Sequence, residues 1–314
     1  MRFFSKAKKE KDAWLVFAPM PQGMALTTIR RHGAGTPVVL GCVGAGLEGQ
    51  GAQDALARAA RSRNAERFRC STLLEPSEYQ LLTLEAPNVP QDELKTAVRW
   101  RMKDMLDFHV DDATFDVMAI PVERASGRTP SMFVVAARNS IIRQRQELFF
   151  GAGINLEVID IPETAQRNVS ALLEEDGRGL AMLSIGAHGG LLTVTYQGEL
   201  YLARRIDVTP ALLDEGDADR RHAALDRLML EIQRSLDHFE RQFGFVSISR
   251  MALAPGCGES LLNYLSSNMY MPVVQCNLAE VIDLSAVPEL QDSARQAHYF
   301  FALGAALRQE VIAP

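Results

Sequence analysis

Several shortages in the sequence each remove a class of function. Only four cysteines occur, Cys42, Cys70, Cys257 and Cys276, far apart and with no Cys-x-x-Cys pair. That pattern offers no zinc knuckle and no disulfide framework, and it predicts reduced thiols in a cytoplasmic protein. No apolar run approaches the roughly 18 residues a membrane span needs, and no secretion signal opens the chain. Positive charge is in deficit: the net charge is −6, which argues against nucleic acid as a partner. The six histidines (His32, His109, His188, His222, His238, His298) form no pattern with cysteine or acid, so no metal site and no general base stands out.

What is present is ordinary globular composition over 314 residues, 47% hydrophobic and 23% charged, enough for two domains with separate cores. The organising stretch runs from Leu180 to Arg205 and reads as three short strands joined by tight turns. Its glycine-rich turn, Gly186–Gly190, leaves backbone N–H groups free to face phosphate. A phosphate-using enzyme also needs a carboxylate beside such a turn to organise Mg²⁺. Ser184 stands at that position. The cradle is kept and the metal ligand is missing, which points to a binding scaffold.

Arg2, Lys6, Lys8, Lys9 and Lys11, beside Phe3 and Phe4, make a basic tail. Such a tail is either a solvated end or a contact for an anionic membrane, at about 1 kcal/mol per basic residue. Ala13–Phe17 and Met24–Arg31 read as a first hairpin, but its turn carries Pro19 and Pro21, which lack the N–H a phosphate would use, and no acid. Val38–Val43 reads as a strand, and Gly44–Gly49 then matches G-x-G-x-x-G. A dinucleotide site would need that turn inside a parallel βαβ unit; a glycine-rich loop is the competing reading.

From Tyr79 to Glu157 the pattern is a small α+β unit. Within it, Leu94, Ala97, Val98, Met102, Met105 and Leu106 recur at helical spacing as one buried stripe. Trp100 lies on the opposite face with Lys103 and Asp104, either covered by another part of the chain, which its size favours, or presented to a partner. Asn139 or Ser140 caps a following helix, Pro162 opens another, and a long amphipathic helix spans about His222 to Phe243. Gly256 and Gly258 open the helix Glu259–Asn268, a turn suited to anion contact or simply to tight packing.

The segments "YQLLTLEAPNVPQDELKTAVRWRMKDMLDFHVDDATFDV", "IDIPETAQRN", "GELYLARRID", "EIQRSLDHFERQFG" and "FFALGAALRQ" together resemble the PilM family of type IV pilus assembly proteins, with its MSHA-pilus (MshI-type) branch the nearest look. The resemblance implies an α/β actin-like fold, two RNase-H-like halves around a cleft, with a small α+β subdomain inserted in the first half. In outline, 1–12 is the basic tail, 13–178 the first half with its insert at about 79–157, and 179–292 the second half. The C-terminal helix, 293–314, packs back on the first half.

The resemblance also implies a cytoplasmic scaffold, peripheral to the inner membrane, that grips the tail of a PilN-like bitopic membrane protein beside the insert. Trp100, Lys103 and Asp104 are the candidate contacts, and pilus motor ATPases are further candidate partners. Nucleotide contacts carried over from the family reduce to Ser184, Gly186, Gly189, Gly190, Gly256 and Gly258, so no cofactor is expected, although ATP remains possible. An actin-like ATPase is the alternative, if Glu163, Glu199 or Asp207 supplies a carboxylate. An NAD-dependent oxidoreductase built on Gly44–Gly49 is the weaker one.

Overall fold

The computed structural model describes residues 10, 12–21, 23–33, 35–46, 51–90, 93–122 and 129–309. The basic cluster (Arg2, Lys6, Lys8, Lys9, Lys11, with Phe3 and Phe4) and Leu47–Gly49 of the glycine motif lie outside the described residues, as do 310–314.

Two five-stranded sheets follow one plan. In the first, β1 (Ala13–Met20), β2 (Gly23–Arg30) and β3 (Val38–Ala45) form an antiparallel meander, α1 (Ala52–Ser62) crosses over, and β4 (Arg69–Leu73) pairs parallel with β1. The chain then builds a separate three-stranded sheet from β5 (Tyr79–Glu85), α2 (Leu94–Met102), β6 (Ala113–Ile120) and β7 (Ser131–Arg138). It returns through α3 (Asn139–Gly151) to β8 (Leu156–Asp160), completing the order β3-β2-β1-β4-β8.

After α4 (Pro162–Leu173) the plan repeats. β9 (Gly179–Gly186), β10 (Gly189–Tyr196) and β11 (Glu199–Ile206) form the meander; α5 (Pro210–Leu213), α6 (Ala218–Gln242), β12 (Ile248–Leu253), α7 (Glu259–Asn268) and β13 (Val273–Gln275) complete the order β11-β10-β9-β12-β13. α8 (Ser293–Ala306) ends the fold. An antiparallel meander continued by parallel strands is the RNase-H-like unit, and its duplication around a cleft makes the fold actin-like.

Local chemistry accounts for the elements. β1 and β9 are the sheet centres, buried on both faces over their first six residues and apolar there except for Ser184 in β9, as suits a strand covered on both sides. The β10–β11 turn places Gln197 and Gly198 at φ +53° and +74°, the left-handed pair that suits a two-residue hairpin. Pro162 takes the first turn of α4, where its missing N–H costs nothing. Asp217 caps α6 by accepting from the N–H groups of Asp219 and Arg220, so this helix starts earlier than His222. Leu228, Ile232, Leu236 and Phe239 form its buried stripe.

α4 and α8 join the two halves. One core contains Val16 and Ala18 of β1, Leu180 and Met182 of β9, Ala165 of α4 and Leu303 of α8. The helices cross so closely that a Cβ on Gly304 would sit 2.3 Å from the Ala165 carbonyl oxygen, and the Asn168 amide donates to the Gly304 carbonyl at 3.0 Å.

The insert is narrower than 79–157. Phe149 of α3 meets Phe17 of β1 edge-on at 5.4 Å within the first half's core, so α3 is that half's crossover helix. Asn139 does not cap it: its side chain accepts from Thr114 Oγ1 and donates to the Asp111 carbonyl, and Arg138 holds the N-cap position without a side-chain cap bond. One face of the inserted sheet (Leu84, Met132, Val134, Ala136) lies under Val98 and Met102 of α2. On the other face Ile120 and Phe133 pack into the core of the second half, while Tyr79 and Ala137 meet Leu74 and Ile161 of the first. α2 stops at Met102, which leaves Met105 exposed and off the expected stripe.

The dinucleotide reading does not survive this topology. β3 is an edge strand, antiparallel to β2, with Gly44 and Ala45 still paired to Ala25 and Met24. β4 runs parallel to β1 and β8 and is not paired with β3, so β3 and β4 do not make the parallel βαβ unit that reading needs.

All four cysteines are buried and free. Burial pushes the thiols of Cys42 and Cys257 up to about 11 and that of Cys276 up to about 12. At pH 8 the thiolate fraction of these groups is then about one in a thousand or less. A disulfide thiol reagent should leave the native chain unlabelled and react with four thiols after denaturation; fast labelling of the folded chain would contradict the packing.

Candidate functional site

A cleft of about 560 Å³ separates the halves. The β1–β2 turn (Pro19, Met20, Pro21) forms one wall and the β9–β10 turn (Ile185–Gly189) the other. Leu74, Glu75 and Pro76 close one end, Ala254 and Pro255 line the far side, and α8 supplies the floor through His298, Phe300 and Phe301.

The expected nucleotide contacts divide. Ser184, Gly186 and Gly189 line this cleft; Gly190, Gly256 and Gly258 do not. Ser184 is only 6% exposed, and its hydroxyl donates to Gln166 Oε1 at 2.6 Å. The fully buried Gln166 amide in turn donates to the carbonyls of Met182 and Leu191, at 3.0 and 3.1 Å, and to Thr193 Oγ1 at 2.9 Å. Ser184 therefore ties the wall to α4 and does not point a ligand at the cleft. Gly189, at φ +99°, lets β11 approach, since a Cβ would fall 2.7 Å from the Ile206 carbonyl oxygen. Gly256, at φ +90°, makes the same allowance for Ala297 of α8, 2.6 Å from where its Cβ would be. Both glycines have packing reasons independent of phosphate.

The three carboxylates that might have replaced the missing acid are engaged elsewhere. Glu163 is 1% exposed; it accepts from the Tyr79 hydroxyl and from Arg205 Nη2, the latter at 2.7 Å. Glu199 pairs with Arg167 at 3.4 Å and Asp207 with Arg227 at 3.1 Å. Among the described residues lining the cleft, Glu75 is the one carboxylate, and among the described residues no cluster of three or more His, Cys, Asp or Glu could hold a metal. A magnesium triphosphate needs oxygen ligands on the metal and N–H groups on the phosphates. One acid, a locked serine and a turn with two prolines do not fit that group.

Trp100, Lys103 and Asp104 lie together on the outer face at the end of α2. Trp100 is 73% exposed, so no other described part of the chain covers it. The reason is local: Val98 and Met102 already occupy the side of α2 that meets the sheet, and the helix ends there. Val89 and Met105 are also exposed in this region.

The sequence reading missed a junction of three subdomains. Tyr79 opens the insert, Glu163 lies in the first turn of α4, and Arg205 lies near the end of β11. Arg205 Nη2 donates to the Tyr79 hydroxyl at 2.5 Å as well as to Glu163. Burial first, then the neighbouring Glu163 carboxylate, pushes the Tyr79 hydroxyl upward, so it remains a donor. Only the "LARRI" charge at the end of a strand hinted at this site.

The fold defined by these halves and this cleft is that of the actin-like proteins. Within it, residues 82–208, from β5 to just beyond β11, match the family model of the type IV pilus assembly protein PilM. The structure is similar to that of a PilM–PilN type IV pilus biogenesis complex, at 21% identity and a TM-score of 0.70, covering 96% of this chain and 98% of that one. It also resembles a Bacteroides thetaiotaomicron protein with an actin-like ATPase fold (10% identity, TM-score 0.49, 93% and 99% covered). A further likeness is to the cytoplasmic domain of EpsL, an inner-membrane component of the Vibrio cholerae type II secretion system (16% identity, TM-score 0.41, 65% and 79% covered). No curated protein sequence matches the chain.

Proposed function

We propose that this chain is a PilM-like scaffold of type IV pilus assembly, of the MSHA (MshI-type) branch, which holds a membrane partner and does not turn over nucleotide. The observation that carries the non-catalytic part is the Ser184 hydroxyl, bound to Gln166 where magnesium chemistry would want a free carboxylate. The partner reading is supported by the family match over the insert and β9–β11, and by the likeness to a PilM bound to PilN. The partner is a PilN-like bitopic inner-membrane protein, gripped by its cytoplasmic tail beside the insert, with Trp100, Lys103 and Asp104 as contacts.

Peptides docked this way use apolar anchors, and an exposed tryptophan is a typical one. No described helix is long and apolar enough to cross a membrane. In this reading the chain sits on the cytoplasmic face of the inner membrane through its partner, aided by the basic N-terminal cluster, and communicates with pilus motor ATPases.

Calorimetry with a synthetic peptide of the PilN-like tail tests the partner. Binding is expected, weakened roughly tenfold or more by Trp100→Ala, as for an interface anchor. That variant should melt like the parent, because its side chain is solvated. Absence of binding at high micromolar peptide would defeat the reading. ATP turnover in Mg²⁺ that disappears with Gly186→Ala would favour the ATPase alternative instead.

A further inference from the structure

Arg205 is tethered by one nitrogen and open at the others. Nη2 is held by the Glu163 carboxylate at 2.7 Å and by the Tyr79 hydroxyl at 2.5 Å, with the guanidinium carbon 5.7 Å from the Tyr79 ring centre. Nε and Nη1 have no acceptor among the described residues, and the side chain is 35% exposed. It lines the cleft, opposite Leu191 on the neighbouring strand and so beside the β9–β10 turn. A guanidinium fixed in this way still offers the N–H groups of Nε and Nη1 as single charge-assisted donors to a carboxylate or phosphate.

We infer that Arg205 is the anion receptor of the cleft, and that the cleft takes a small apolar molecule bearing one carboxylate or phosphate group. Three observations set this class. The walls and floor are mainly apolar, with Pro19, Pro21, Ile185, Phe300 and Phe301 facing the space, so the body of the ligand is apolar. The volume, about 560 Å³, lies within the roughly 300–1,000 Å³ of small-molecule sites. The Arg205–Glu163 pair is neutral overall, Glu75 adds a negative charge to the lining, and Arg205 is the one arginine or lysine among the described lining residues, so the cleft suits a single anionic group better than the several charges of a triphosphate.

This inference is independent of the partner tail, and its test reads a different ligand. Calorimetry on the full chain would compare octanoate and octyl phosphate with the neutral octanamide. Binding of at least one anion is expected, with octanamide roughly tenfold weaker or worse, the worth of a charge-assisted hydrogen bond. Which anion binds separates a carboxylate from a phosphate ligand. The double variant Glu163→Gln/Arg205→Gln removes both charges of the pair together, so the buried Glu163 is not left unpaired, and should abolish the preference for the anion. Failure of both anions to bind, octanamide binding as tightly as they do, or a preference that persists in a folded double variant would overturn the assignment. If the double variant does not fold, the octanamide comparison on the parent chain still decides.

Discussion

Gly304→Ala should cost the chain several kcal/mol, or prevent it from folding. The added methyl would meet a main-chain carbonyl, Ala165 O, at 2.3 Å, with the Ala165 carbonyl carbon at 2.8 Å. A flexible side chain could swing away; the backbone of α4 cannot move without dragging Gln166, Asn168 and the cleft wall with it. Overpacking usually costs about 1–3 kcal/mol, and a rigid obstacle puts this case at or beyond the upper end. The same step at Gly258, where a Cβ meets nothing within 4 Å, should be mild. Urea melts of the two variants make the comparison. Equal midpoints would mean that the helices do not cross as described.

Arg205→Ala should be nearly as damaging, for an electrostatic reason. It would leave the Glu163 carboxylate 1% exposed with only the Tyr79 hydroxyl for company. Removing one partner of a buried pair costs about 3–5 kcal/mol, because the remaining charge has lost both water and counter-ion. The retained tyrosine bond places the loss toward the lower end. Adding Glu163→Gln to Arg205→Ala should restore part of the stability by removing the stranded charge, and a double-mutant cycle measures it. If the second change only adds further loss, Glu163 is not held mainly by Arg205.

These two residues also show where reading the sequence succeeds and where it stops. Elements governed by neighbouring residues are legible: the β10–β11 hairpin from Gln197-Gly198, α4 from Pro162, and α7 with both ends at Glu259 and Asn268, whereas the duplication of the meander comes only from the family resemblance. The long stripe of α6 is legible too, although the helix starts before His222, because its cap, Asp217, and the first turn carry polar residues that do not join the apolar pattern. α2 was read too long, since Lys103–Leu106 is helix-compatible and no glycine or proline marks the stop at Met102.

Distance in sequence hid the rest. Tyr79, Glu163 and Arg205 meet across separations of 84 and 42 residues. The purpose of Gly256 is known only once Ala297 is beside it. That Ser184 stands where a carboxylate would be wanted is legible in the sequence, but its bond to Gln166 depends on how α4 lies against the second sheet. Large apolar side chains usually find cover, but a nine-residue helix seated on a three-stranded sheet has no further layer over Trp100 among the described residues.

The position of α8 bears on how the polypeptide matures. Its residues are made after the whole second half, yet they cover β1 and β2, which are made well before it. Domains generally fold in order as they emerge from the ribosome, but the first half cannot finish alone, since one side of its apolar strands stays wet until α8 arrives. The nascent chain therefore carries an unfinished, sticky surface until α8 has emerged, and a stop codon before Ser293 should yield insoluble product.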